Sequence, residues 1–310
     1  MKLFIYLLTQ RGKFNFFFFN FKVEFRVSDL TVDKNFIGQI FFNYRSLGNI
    51  KDLSILNRLK TGDYRQTTTK VRPSDICVLS NGYILAANCK DLNLTLYDSN
   101  IKAVKTIDKI SYQSFKPISI ASKGDKIYIC DIGSHRIIRT DLEFRRTALF
   151  GSQGFGSSHL NHPHGICFHK QHLFVCDAFN NRIQRLSSRL SFEQSYILDY
   201  EPWQIRIANN IACVRGLNVT SIFFYDISVD MTLKFEFTGH NGIIGNIGSC
   251  FYEYYAVNAK IYFYDDKGEL YEEVQTDGFS NIKVDQFGGI TTMLGKFLIA
   301  FEDSKKLVFV

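Results

Sequence analysis

The sequence predicts an all-β protein built from a repeated unit of four short strands, on three observations. Its 30 Phe and 16 Tyr, set among many β-branched residues, favour the pleated, half-buried surface of a strand over a helix. All four prolines stand in one local context, each leading a short apolar run, a polar or glycine-bearing turn and a second apolar run. These prolines, Pro73, Pro117, Pro163 and Pro202, are 44, 46 and 39 residues apart. A period near 40 with several strands per period is the mark of a β-propeller blade.

The chain opens with "MKLFIYLLTQRGKF", which begins like a signal peptide. Its apolar run is short, and Arg11 and Lys13 follow where small residues would suit cleavage. "FNFFFFNFKVEF" comes next, too short and too interrupted for a membrane span, which takes roughly 20 apolar residues. Residues 1–71 are therefore expected to be a basic, Phe-rich segment whose pattern specifies no structure of its own, and which is available to supply a closing strand. Residues 72–310 are expected to form the propeller.

Within that stretch, "RPSDICVLSNGYILAAN", "KPISIASKGDKIYICD", "HPHGICFHKQHLFVCD" and "EPWQIRIANNIACVRG" each start on a proline, as a strand start allows because proline cannot donate to a ladder. The second and third units align without a gap. Ile120 falls opposite Ile166, Cys130 opposite Cys176, Asp131 opposite Asp177, Arg136 opposite Arg182 and Ile137 opposite Ile183. This is internal duplication. Third and fourth runs follow, as in "HRIIRTD" with "RRTALFGS" and "NRIQRLS" with "SYILDY". Two further units without the proline, beginning at "GNIGSCFYEYY" and "FSNIKVDQFGG", bring the count to six, so the expectation is a six-bladed propeller of four-stranded antiparallel blades. If "LVFV" is only the third strand of the last unit, an N-terminal strand such as "LSILNRLKT" would close the ring and remove two exposed edges.

"LFGSQGFGSSHLNHPHGICFHKQHLFVCDAFNNRIQRL" resembles an NHL repeat: a glycine-bearing turn, a proline-led strand, then an apolar strand ending in Asp and followed by Asn-x-Arg-Ile. "KIYICDIGSHRIIRT" is similar, with a His in place of the Asn. The resemblance implies a six-bladed platform that binds protein or RNA, and in animals often the C-terminal part of TRIM-type ubiquitin ligases. This sequence holds no RING or B-box Cys/His spacing. The expectation is a fragment or relative of such a ligase that does not itself ligate ubiquitin.

Five of the seven histidines, His159, His162, His164, His169 and His172, crowd into this unit. Imidazole suits zinc, but His164 aligns with Ile118, His169 with Lys123 and His172 with Lys126, so the sister repeat fills these places with non-ligands. A histidine-rich surface is the expected reading. The alternative, a metal-dependent lyase or hydrolase, would place His162 and His164 at the channel with His135 or His240 converging on them, as in a related six-bladed lyase family. Asp131 with Arg136, and Asp177 with Arg182, recur at one separation, and repetition favours a buried carboxylate–guanidinium brace within each blade over a ligand contact.

The formal charge is +7, and the excess lies in residues 1–71, which hold 12 Lys and Arg against 5 Asp and Glu. Arginines concentrate at 136–215, and Arg139, Arg145, Arg146, Arg185, Arg189 and Arg206 are expected to form a basic sector with Trp203 available to stack on bases. Seven scattered cysteines without a C-x-x-C pair suggest reduced thiols in a cytoplasmic protein. "GSQGFGSS" leads into the next blade and not into a helix, so it reads as a connecting turn and not as a phosphate cradle. No nucleophile motif is present. The expected function is non-catalytic recognition without a cofactor. A protein partner comes first and single-stranded or hairpin RNA second, with no membrane and no DNA.

Overall fold

The structure, a computed structural model, describes residues 73–98, 100–108, 110, 115–239, 242–247, 250–255, 260–265 and 267–275, and strands at 8–10, 13–18, 21–26, 65–68, 287–293, 296–301 and 306–309. The chain divides into two compact units, residues 1–48 and 49–310. The first holds a three-stranded antiparallel sheet of Leu8–Gln10, Lys13–Phe18 and Phe21–Arg26, so the Phe-rich stretch is a hairpin of its own.

The second unit is a β-propeller of four-stranded antiparallel blades. Blade 1 comprises Asp75–Val78, Ile84–Asn88, Asn93–Tyr97 and Ala103–Ile107. Blade 2 comprises Pro117–Lys123, Lys126–Asp131, Arg136–Thr140 and Arg146–Phe150. Blade 3 comprises Pro163–His169, His172–Asp177, Arg182–Ser187 and Phe192–Ile197. Blade 4 comprises Pro202–Ala208, Ile211–Gly216, Ser221–Asp226 and Thr232–Thr238. Blade 5 comprises Ile243–Ile247, Cys250–Tyr255, Lys260–Tyr264 and Leu270–Gln275.

The expectation of six such blades is corrected: the structure shows five blades made of four successive strands. The remaining four-stranded sheet is a composite of Phe287–Met293, Lys296–Phe301 and Lys306–Phe309 with Arg65–Thr68 from the other end of the chain. The physical reason is that the third strand, Lys306–Phe309, pairs through its outer edge with an earlier segment of the chain in place of a successive fourth strand. That segment is Arg65–Thr68 and not "LSILNRLKT", which lies outside the described residues. The propeller unit thus begins ahead of residue 72.

First strands line the ring's interior and pack in sequence from blade 1 to blade 5, then to Phe287–Met293 and back to blade 1. In blades 2, 3 and 4 the register shifts around the proline, between Asp131 paired with Pro117, Asp177 with Pro163 and Gly216 with Pro202 and the rest of each ladder. A residue without an N–H is tolerated at such a bulge, and the same shift recurs without a proline at Phe287 in the composite sheet.

Burial grades outward along each blade. The second strand Ile84–Asn88 is wholly buried, whereas the outer strand Ala103–Ile107 is exposed along all but its last residue. The core is a set of layers between neighbouring blades, such as Tyr128, Ile137, Ile166, Val175 and Leu186 between blades 2 and 3. A hairpin turn between third and fourth strands recurs with one chemistry. Asp98, Asp141, Ser187 and Asp265 each accept two backbone N–H bonds, from the residues two and four positions on. The residue three positions on takes positive φ: Ile101, Phe144, Leu190 and Gly268. This repeat is a side-chain-capped turn of the kind Asp and Ser form readily.

Candidate recognition face

The histidine-rich stretch reaches the end of the blades that carries the turns between second and third strands and the connections from blade to blade. Asp177 ends the second strand of blade 3 and Arg182 opens the third, so the ladder sets them opposite each other. Asp177 Oδ2 accepts from Arg182 Nε at 2.7 Å, Asn180 Nδ2 at 2.8 Å and Gln184 Nε2 at 3.3 Å, while Oδ1 accepts from the backbone N–H of Asn161 at 2.6 Å. Both members of the pair are buried.

Arg182 has donors left over, and they reach outward to the glycine-rich connection. Its Nη1 donates to the carbonyl of Phe155 at 2.9 Å, and its Nη2 to those of Gly156 at 2.8 Å and His159 at 3.0 Å. Asn180 Nδ2 adds a bond to Gly154, and Gln184 Nε2 one to His159. The connection is thus folded over the ion pair and fixed by it. Gly151 begins the turn at φ +95°, where a Cβ would meet Leu160 at 2.8 Å and the His135 carbonyl at 2.9 Å.

On this frame two phenylalanines face water, Phe155 at 78% and Phe179 at 44% exposure. His162 stacks on Phe179 with ring centroids 4.3 Å apart. The backbone N–H of His162 donates to His135 Nδ1 at 3.0 Å, which places the proton of a neutral His135 on Nε2. His164, buried, lies against Trp203 at 3.2 Å between centroids. The two blades approach closely there, since a Cβ on Gly165 would sit 2.8 Å from the Trp203 carbonyl and 2.9 Å from the Gln204 Cα.

The electrostatics follow from burial. Desolvation holds the imidazoles of His135 and His162 below their ordinary 6.5, with His135 and then Lys116 adding to the effect on His162. Burial pushes His164 well below that value. All three rings are therefore neutral at pH 7. His162 Nδ1 and His164 Nε2 are buried without a hydrogen-bond partner. Among the described residues no three His, Cys, Asp or Glu groups come together to hold a metal ion, and His240 lies outside those residues. His169 bonds Asn210 at 2.9 Å and His172 bonds Glu193 at 2.7 Å, at the opposite end of blade 3.

The brace is not repeated in blade 2. Asp131 stands opposite Arg136 in the ladder, but its Oδ1 accepts from the backbone N–H groups of Lys116 at 2.8 Å and Gly133 at 3.2 Å, and its Oδ2 has no hydrogen-bond partner. Arg136 Nε donates to the Ser134 carbonyl at 3.2 Å. Ser134 occupies the place of Asn180, and burial raises the Asp131 carboxyl above the usual carboxylate range.

Most of the residues expected to form a basic sector have partners of their own within the protein. Arg206 lies in the ring's interior, where Nη2 reaches Asp75 of blade 1 at 3.6 Å. Trp203 has one face taken by His164. Arg139 ties blade 2 to the Ser188 carbonyl of blade 3 at 2.9 Å, Arg145 pairs with Asp141 at 2.7 Å and Glu143 at 3.0 Å, and Arg185 with Glu193 at 3.2 Å. Arg146 and Arg189 are exposed near the turns between third and fourth strands, at the end opposite His162 and His164. Phe155 and Phe179 escaped the sequence reading. The signal available was an aromatic residue inside an otherwise polar, glycine-rich turn.

No protein-family model matches the chain, and no curated protein matches it. Among solved structures it is similar to virginiamycin B lyase from Staphylococcus aureus, at 14% identity and a TM-score of 0.60 over 79% of this chain and 98% of that one. A streptogramin B lyase is similar at 14% identity and a TM-score of 0.59, over 79% and 96%. The β-propeller domain of Cps50 (Swd1) from Myceliophteria thermophila is similar at 10% identity and a TM-score of 0.53, over 79% and 99%. At these identities the likeness establishes the β-propeller fold.

Proposed function

We propose that the chain is a non-catalytic recognition module of NHL type, a relative of the propellers of TRIM-type ligases, whose loop face binds a protein partner in the cytoplasm. The observation that carries the reading is a pair of exposed phenylalanines, Phe155 on the connection pinned by Arg182 and Phe179 in the neighbouring turn Ala178–Asn180. Rigid, exposed aromatic side chains lose little freedom on binding and bring large apolar area, which is how interface anchors work. The six described free thiols suit a reducing compartment.

RNA is the weaker reading, since Arg139, Arg145, Arg185 and Arg206 are already engaged within the protein. A lyase reading draws on two of the similar structures, but among the described residues no group of three metal-ligating side chains includes His162 and His164. The test is capture of partners by wild type, by Phe155→Ala/Phe179→Ala and by Arg146→Ala/Arg189→Ala, each with and without ribonuclease. Capture that resists ribonuclease and is lost only in the phenylalanine variant supports the reading. Capture abolished by ribonuclease and by the arginine variant overturns it.

A further inference from the structure

A second surface lies on the outer rim, away from the loop face. Between the fourth strands of blades 3 and 4 is a cavity of about 510 Å³, lined by Tyr196, Leu198, Asp199, Tyr225, Asp230 and Leu233 among others. Its rim exposes apolar side chains to water: Ile197 at 74%, Val229 at 91% and Leu233 at 49%. One wall is the edge strand Phe192–Ile197, which pairs with Arg182–Ser187 on one side only.

Edges of this kind are normally guarded by charge or proline. The neighbouring outer strands carry Arg146 in blade 2, and Lys234 and Glu236 in blade 4. Phe192–Ile197, "FEQSYI", carries only Glu193, and that carboxylate is engaged by Arg185 and His172. The edge is left unguarded. The lining also has a sign, because Asp199 and Asp230 stand there and neither forms an ion pair among the described residues. Asp230 Oδ1 accepts only neutral donors, Gln194 Nε2 at 3.1 Å and the Met231 N–H at 2.8 Å.

We propose that this groove binds an extended peptide segment alternating apolar and basic residues, which adds to blade 3 as a fifth strand. Main-chain bonds to the free edge supply affinity, the basic side chains of the segment turn to the groove to meet Asp199 and Asp230, and the alternate apolar side chains turn to the other face of the blade, the side of Ile197. Burial raises the Tyr196 hydroxyl pKa against the pull of Arg185, which donates to that hydroxyl at 3.0 Å, and Asp230 adds to the rise; at Tyr225 burial again leads, opposed by the bond from Tyr200 and aided by Asp199.

The test uses the full chain and two labelled six-residue probes, one alternating lysine with valine and one alternating glutamate with valine, read by fluorescence anisotropy. The lysine probe is expected to bind and the glutamate probe not to. Asp199→Asn/Asp230→Asn is expected to weaken the lysine probe by roughly 2- to 30-fold, two exposed charge pairs' worth. Ile197→Lys is expected to weaken it as well, while Arg146→Ala/Arg189→Ala leaves it unchanged. Equal binding of both probes, or binding indifferent to the aspartates, overturns the proposal. So does sedimentation showing a wild-type dimer that Ile197→Lys dissociates, since the edge is then an interface between copies of this chain.

Discussion

Replacing Asp177 by Ala removes the acceptor at the centre of the loop face. Four donors lose a partner: Arg182 Nε, Asn180 Nδ2, Gln184 Nε2 and the Asn161 N–H. Three of these residues have other bonds to fall back on. Arg182 keeps three backbone carbonyls, Asn180 keeps Gly154 and Gln184 keeps His159. What cannot be replaced is the negative charge beside a buried guanidinium. Leaving such a charge alone costs about 3 to 5 kcal/mol, and the surviving carbonyl bonds place the expected loss near the lower end. For a folded unit of this size that lowers the melting temperature by roughly 6 to 20 °C. Thermal and urea unfolding measure it, with Asp131→Ala as the comparison, because Asp131 accepts from the backbone N–H groups of Lys116 and Gly133 and forms no ion pair with a guanidinium among the described residues. Asp177→Ala/Arg182→Met takes away the stranded charge and is expected to recover part of the loss. A midpoint for Asp177→Ala within about 2 °C of wild type, the range of an ordinary surface change, would refute the brace.

Acid should weaken the fold through His164. Its folded-state pKa is depressed, so its contribution is complete above the unfolded value of 6.5 and is lost as pH falls below it, by up to about 1.4 kcal/mol per pH unit. Asp131, whose carboxyl is raised, acts in the opposite sense nearer pH 4, so unfolding is best measured from pH 7 to 5.5. There His164→Phe, which keeps a ring against Trp203, should flatten the slope, and an unchanged slope would contradict the assignment. Gly165→Ala should lower the melting temperature, since its Cβ meets backbone and not a movable side chain; a neutral result would show that blades 3 and 4 are not so close. Phe155→Ala should leave stability within about 0.5 kcal/mol of wild type, because the side chain is largely in water. Native protein should react slowly with a thiol reagent that labels all seven cysteines in denaturant, since burial raises the thiols of Cys77, Cys130, Cys176 and Cys213; rapid native labelling of these four would contradict their placement.

The propeller was legible because its period is carried by residues with a local job. Proline marks the inner strand, Asp ends the second strand, and the aligned pairs Cys130/Ile137 and Cys176/Ile183 take the same register in both blades. The composite sheet was half legible: an N-terminal closing strand was anticipated, but "RQTT" has no apolar pattern to single it out. The recurring turn at Asp98, Asp141, Ser187 and Asp265 was open to view in the sequence as an Asp or Ser at one fixed place.

Site-level reading went less far, for physical reasons. Identical ladder positions do not impose identical partners, as Asp131 and Asp177 show. Arg182 takes its extra acceptors from a connection whose path no periodicity records. Arginines counted along the chain do not show which acidic neighbour each of them pairs with. Asp141 and Glu143 beside Arg145, and Glu193 beside Arg185, are such neighbours. Phe155 and Phe179 are conspicuous only once the connection is seen to be fixed.

The most direct test places a photo-crosslinking phenylalanine at position 155 and, separately, at position 189, and irradiates the protein in cell extract. The loop-face account predicts a discrete adduct from position 155 that survives nuclease, disappears with Phe179→Ala and is absent from position 189. A nuclease-sensitive adduct from position 189 with none from position 155 would contradict it and move recognition to the opposite end of the blades.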